Sequence, residues 1–116
     1  MLLKEGEFML HQQEINRLIN GLVNKYDNLT KILLFGSQAS NIATENSDID
    51  ICIVADVEDK DSFEQDINLY IYDSEGLDFS KSVDIILYTS NEWEKCLKEQ
   101  GTFANLIQKK GVVLHG

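Results

Sequence analysis

Proline is absent from the 116 residues, cysteine occurs twice and glycine seven times. No proline- or glycine-rich stretch marks a boundary, and neither repeats nor low-complexity tracts are present. The expectation is one domain spanning 1–116, about the size that supports a single core. Long apolar runs are missing as well: the longest is five residues, Ile51 to Ala55, against the roughly 18 needed for a transmembrane helix. The opening Met1-Leu2-Leu3-Lys4-Glu5-Gly6-Glu7 puts acids where an export signal carries a basic and then an apolar segment. A soluble cytoplasmic protein with no membrane partner is expected. Basic residues are scarce too, ten Lys plus Arg against twenty Asp plus Glu, for a net charge of -10. Such a surface repels polyanions, which argues against nucleic acid as a partner. Cys52 lies in an apolar run and Cys96 among Glu, Lys and Leu. They form no C-x-x-C pair and read as reduced structural thiols, while His11 and His115 read as surface residues.

The apolar pattern that remains alternates between two periods. Ile15, Leu18, Ile19, Leu22 and Tyr26 recur at three and four, predicting an amphipathic helix from about Leu10 to Tyr26. Lys31 to Phe35 and Asp48 to Val54 are β-branched or apolar runs that predict buried strands. A short helix is expected after Gly36. A helical stripe of Phe63, Ile67, Tyr70 and Ile71 precedes a third strand, Val83 to Tyr88. Ser90 is the expected N-cap of a helix carrying Trp93 and Leu97. A last helix, Phe103 to Lys110, stops at Gly111 before a short edge strand, Val112 to Leu114. The order predicts an α/β domain, a small sheet covered by helices, with the strands from Lys31, Asp48 and Val83 as neighbours.

Chemistry concentrates at the ends of these strands. Asp48 and Asp50, two apart on a strand, point the same way at about 6.6–6.8 Å between Cα atoms. If the third strand lies alongside at about 4.8 Å, Asp84 joins them in a cluster of three carboxylates, suited to two cations about 3.5–4 Å apart. Oxygen donors without histidine or cysteine favour Mg²⁺ or Mn²⁺ over zinc. Without metal the acids repel one another and their pKa values should rise. Gly36 permits close backbone approach and Ser37 offers a hydroxyl where a helix should begin, a setting for phosphate. Together these describe a nucleoside triphosphate site.

The string Gly36-Ser37, a spacer, then Ser47-Asp48-Ile49-Asp50, with a third acid at Asp84, resembles the signature of the minimal nucleotidyltransferases of the DNA polymerase β superfamily. The resemblance covers nearly the whole chain, including the closing helix and Gly111-Val112-Val113-Leu114. It implies the polymerase β-like fold, with Asp48, Asp50 and Asp84 as catalytic acids holding two Mg²⁺ ions. Gly36, Ser37 and Ser47 would bind the nucleotide, and a nucleoside monophosphate, AMP from ATP, would pass to a hydroxyl. Short bacterial members are commonly antitoxins paired with a helical HEPN-domain toxin, and some add AMP to a tyrosine of that partner. The chain departs from the usual G-S-R-A-R-G at Gln38, Ser40 and Asn41. Asn41 tolerates the left-handed backbone of the missing glycine, but two fixed cations are lost.

That loss keeps a second reading open, a non-catalytic module that neutralises a partner protein by covering it. A third, modification of a small molecule, requires a further substrate domain or a second copy of the chain to complete the acceptor pocket. The apolar tail from Phe103 to Leu114 is a candidate contact surface, whether for a homodimer or another subunit. Other readings fail on residue type. Ser37 lacks the G-x-S-x-G context of a nucleophile. Cys52 occupies the next ligand position of a calcium loop. The acidic run Asp56 to Asp61 reads as a solvated loop, and Tyr70, Tyr72 and Trp93 as packing or rim residues.

Overall fold

The computed structural model describes residues 11–36 and 48–116. The expected short helix after Gly36, together with Ser37, Gln38, Ser40, Asn41 and Ser47, lies outside them. In chain order the described elements are α1 (Gln12–Lys25), β1 (Leu29–Phe35), β2 (Ile49–Ala55), α2 (Lys60–Tyr72), β3 (Val83–Thr89), α3 (Ser90–Lys98), α4 (Phe103–Lys110) and β4 (Val112–His115). None of the described helices is long and apolar enough to cross a membrane.

The four strands form one mixed sheet in the order β3-β2-β1-β4. β1 runs antiparallel to β2 and to β4, whereas β2 and β3 are parallel. That parallel pair needs a crossover, which α2 supplies. The expected adjacency of the first three strands is therefore found, with the closing strand at the β1 edge.

Alternation along the strands sorts side chains to two faces. Ile32, Leu34, Ile49, Ile51 and Ile53 pack with Ile15, Leu18, Ile19 and Leu22 of α1 and Ile67 and Ile71 of α2. On the other face Leu33, Cys52 and Val54 meet Trp93 of α3 and Ala104 and Ile107 of α4. Cys52 is a free thiol, and burial pushes its pKa up to about 12, so at neutral pH it remains a small apolar group. On the α1–α2 side Tyr26 is edge-on to Phe63 and Tyr70, and its hydroxyl donates to Asp66.

Two sequence expectations change in detail. The N-cap of α3 is Thr89, with Ser90 the first helical residue. β3 runs straight into the helix, so the last strand residue is still extended when its hydroxyl accepts from the Glu92 N–H at 3.1 Å; the Glu92 carboxylate accepts from the Thr89 N–H at 3.0 Å. This is a capping box. The backbone hydrogen bond and Lys60, whose ammonium lies 3.2 Å away, hold the Glu92 carboxyl below its usual range. Nor are the histidines simply solvated: His115 is half-buried with its ring against the Leu29 carbonyl, and His11 stands near Glu14. In the acidic run, Asp59 is the N-cap of α2.

Thr89→Ala removes one half of the capping box and should destabilise the fold by about 1 kcal/mol in urea unfolding. Because the Glu92 carboxyl is lowered in the folded state, its contribution is present above the ordinary glutamate range and disappears as pH falls through the folded value. The stability difference between wild type and Glu92→Gln should shrink accordingly on acidification.

Candidate functional site

Every position of β2 is buried except Asp50, which is half-buried. Ile49 and Ile51 turn into the α1–α2 core, so Asp50 turns to the other face with Cys52 and Val54. The parallel register sets Asp50 directly opposite Asp84, and the antiparallel register sets Phe35 opposite Asp50. Paired residues share a face, which gives a row of Phe35, Asp50 and Asp84 across three strands. Asp84 is exposed on the edge strand, and Asp48, also exposed, stands just before β2.

Asp50 is held above the ordinary aspartate pKa, first by burial, then by the charge of Asp84, a hydrogen bond with it, and the charge of Asp48. Such a bond requires the two carboxyl groups to share a proton. The expected rise is thus found at Asp50. The approach is closest within the Asp50–Asp84 pair, with Asp48 as a third charge nearby. Among the described residues no three His, Cys, Asp or Glu side chains stand as one group able to hold an ion. The donor chemistry nevertheless fits a hard divalent cation: carboxylate oxygens only, two of them near enough to need a proton or a cation between them.

Gly36 closes the site on its β1 side. Its φ is 73°, and a Cβ at this position would lie 2.3 Å from the Asp50 carboxylate oxygen. The residue thus meets two needs, a left-handed turn and space for the carboxylate. Ser37 and Ser47, predicted to meet the phosphates, lie outside the described residues.

Two supports were not visible in the sequence pattern. The Tyr72 hydroxyl accepts from the Val83 N–H at 2.8 Å and donates to the Val83 carbonyl at 3.2 Å. It anchors the start of the edge strand one residue before Asp84. Ile49 N–H donates to the Ser82 carbonyl at 3.0 Å, tying the start of β2 to the same point. Helical periodicity marks Tyr72 only as the end of α2, and nothing in its spacing announces a bond to a strand formed later in the chain. The second support is Phe103, whose ring stands edge-to-face with Phe35 at 5.7 Å between centroids.

Gly36→Ala should destabilise the fold by about 1–2 kcal/mol, the cost of a left-handed residue with a Cβ, measured by urea unfolding. Asp50→Asn should have the opposite effect in metal-free buffer. A carboxyl whose folded pKa is raised weakens the fold above that pKa and ceases to do so below the unfolded value. The variant should therefore melt higher than wild type at neutral pH, with the gap closing as pH falls towards the ordinary aspartate range.

The family described as polymerase beta, nucleotidyltransferase matches residues 17–115. A protein of Methanocaldococcus jannaschii, provisionally named protein adenylyltransferase MJ0604, is 47% identical over 51 residues, which are 43% of this chain and 51% of the relative. The chain thus aligns with about half the length of that curated relative. A chain from a crystal structure of a toxin–antitoxin with AMP-PNP shares the fold at a TM-score of 0.55 and 24% identity, over 87% of this chain and 72% of that one. The mixed sheet, its helices and the family match over most of the sequence agree: the chain belongs to the polymerase β nucleotidyltransferase family of enzymes.

Proposed function

We propose that this chain is a Mg²⁺-dependent nucleotidyltransferase that moves AMP from ATP to a hydroxyl of a partner protein, a HEPN-type toxin, and so acts as its antitoxin in the cytoplasm. The observation that carries this reading is the Asp50–Asp84 pair, two carboxyl groups opposed across a parallel register beside the Gly36 turn. The provisional name of the M. jannaschii relative supports an adenylyl group and a protein acceptor. The antitoxin role and the HEPN partner rest on the resemblance in sequence.

In this reading Asp48, Asp50 and Asp84 are the catalytic and metal-holding residues, and Gly36, Ser37 and Ser47 bind the nucleotide. When bound, the divalent cations would neutralise negative charge on the phosphates and the departing pyrophosphate. Asp48 and Asp50 would hold these cations at the strand end, with Asp84 beside them. Asp84, exposed on the edge strand, faces an incoming acceptor and takes its proton. The acceptor oxygen forms a bond to the α-phosphorus, the bond from that phosphorus to the bridging oxygen breaks, and pyrophosphate leaves.

A second reading, a non-catalytic module that neutralises its partner by contact, is favoured by Gln38, Ser40 and Asn41 where the family usually has Arg, Arg and Gly. One experiment separates the two. A lysate supplied with Mg²⁺ and ATP labelled at the α- or γ-phosphate should yield a labelled protein band from α-label alone. That band should be missing with the Asp48→Asn, Asp50→Asn protein. Absence of any wild-type-dependent label, with the partner still bound, overturns transfer in favour of the binding module.

A further inference from the structure

The row of side chains that ends at Asp84 continues on its other side beyond Asp50. Phe35 lies opposite Asp50 in the register, and its ring meets Phe103, the first residue of α4, at 5.7 Å between centroids and 90° between planes. Phe35, Asp50 and Asp84 follow one another across this face, Phe103 is in contact with Phe35, and Gly36 follows Phe35 directly. Phe35 is half-buried against the Leu33–Ile107 cluster, whereas Phe103 keeps 44% of its surface exposed while Ala104 and Ile107 of the same helix are buried. Among the described residues the other paired aromatic rings stand elsewhere. Tyr88 and Trp93 pack together at the far end of the same face, and Tyr26, Phe63 and Tyr70 belong to the opposite face.

We propose that Phe103, braced by Phe35, is the platform on which the base of the bound nucleotide stacks, with purines favoured by their larger overlap. This rests on the nucleotide site proposed above and deepens it by naming the residue that reads the donor's base. The chemistry of the donor selects the occupant. Triphosphate and pyrophosphate call for cations and N–H donors, which a phenylalanine ring does not offer. The base is the one flat, weakly polar part of the molecule, and every base presents a π-face. The acceptor belongs at Asp84, two strands away from the ring pair, which leaves the β1 side of the site to the donor. Leu106 of the same helix is exposed as well, so it is the contact with Phe35, next to Asp50 in the register, that sets Phe103 apart.

The test is equilibrium binding of ATP and of inorganic tripolyphosphate, both with Mg²⁺, to the full chain and to Phe103→Ala, Phe103→Leu and Phe103→Trp. Phe103→Leu keeps apolar bulk against Phe35 but has no π-face, which separates stacking from packing. Stacking predicts that Phe103→Ala and Phe103→Leu lose about tenfold or more in ATP affinity. Tripolyphosphate affinity should stay unchanged, and Phe103→Trp should bind ATP at least as well as wild type with its fluorescence altered by the nucleotide. Unchanged ATP affinity in Phe103→Leu overturns the assignment. So does an equal loss for ATP and tripolyphosphate, which would place the ring's effect on the acids. Unchanged ATP affinity with loss of self-association in sedimentation overturns it in favour of a contact between copies. A wild type that binds neither ligand overturns the nucleotide site itself, a result distinct from failure of the stacking platform alone.

Discussion

Two carboxylates placed opposite one another in a parallel register are electrostatically unfavourable, and much of the surrounding structure is what makes that placement possible. Hydrophobic burial on both faces of β2 fixes the strand so firmly that Asp50 has no alternative register. A slip by one residue would bring Ile49 and Ile51 out of the α1–α2 core and turn Asp50 into it. The cost of holding the acid is small beside that of taking Ile49 and Ile51 from the core they fit. Tyr72 does the corresponding work for the edge strand, where less burial is available to fix position. The repulsion is therefore borne by the core, and the pair stays ready for a proton or a cation.

Much of this was legible in the sequence because the two hydrophobic periods are clean. Ile15, Leu18, Ile19 and Leu22 fell on one helical stripe, and all four are buried. The apolar run that follows the D-x-D was enough to announce a buried strand carrying Asp50, and the third strand came beside it as expected, with Asp84 opposite Asp50. What escaped depends on contacts between distant segments. Ser90 and Thr89 are both good cap residues, and only the direct passage of β3 into α3 decides between them. Phe103 read as part of an apolar tail because its neighbours in the sequence are apolar, and its place beside Phe35 is set by packing of α4 on the sheet.

Membership in the polymerase β nucleotidyltransferase family and the particular reaction of this chain stand on different supports. The family follows from a match over residues 17–115 and from the fold. The proposed reaction would rest on a handful of side chains where β2 and β3 begin, since one scaffold serves many acceptors. The placement of Asp50, Asp84 and Gly36 narrows the chemistry to groups that tolerate concentrated negative charge. The aromatic pair on the β1 side and the open edge at Asp84 give the two ends of the site different character, one apolar and one acidic.

The parallel pairing of β2 with β3 also bears on how the molecule is made. Antiparallel neighbours require only that the chain double back, but Asp50 and Asp84 become neighbours after α2 has crossed over and β3 has docked. Pairings of this long-range kind are slow because the intervening loop must be closed before any contact rewards it. A nascent chain that has paired β1 with β2 therefore carries half of the acid pair. During synthesis the complete pair emerges only after the segment through Thr89 has been released, so Asp50 meets Asp84 only once the sheet has taken its final order.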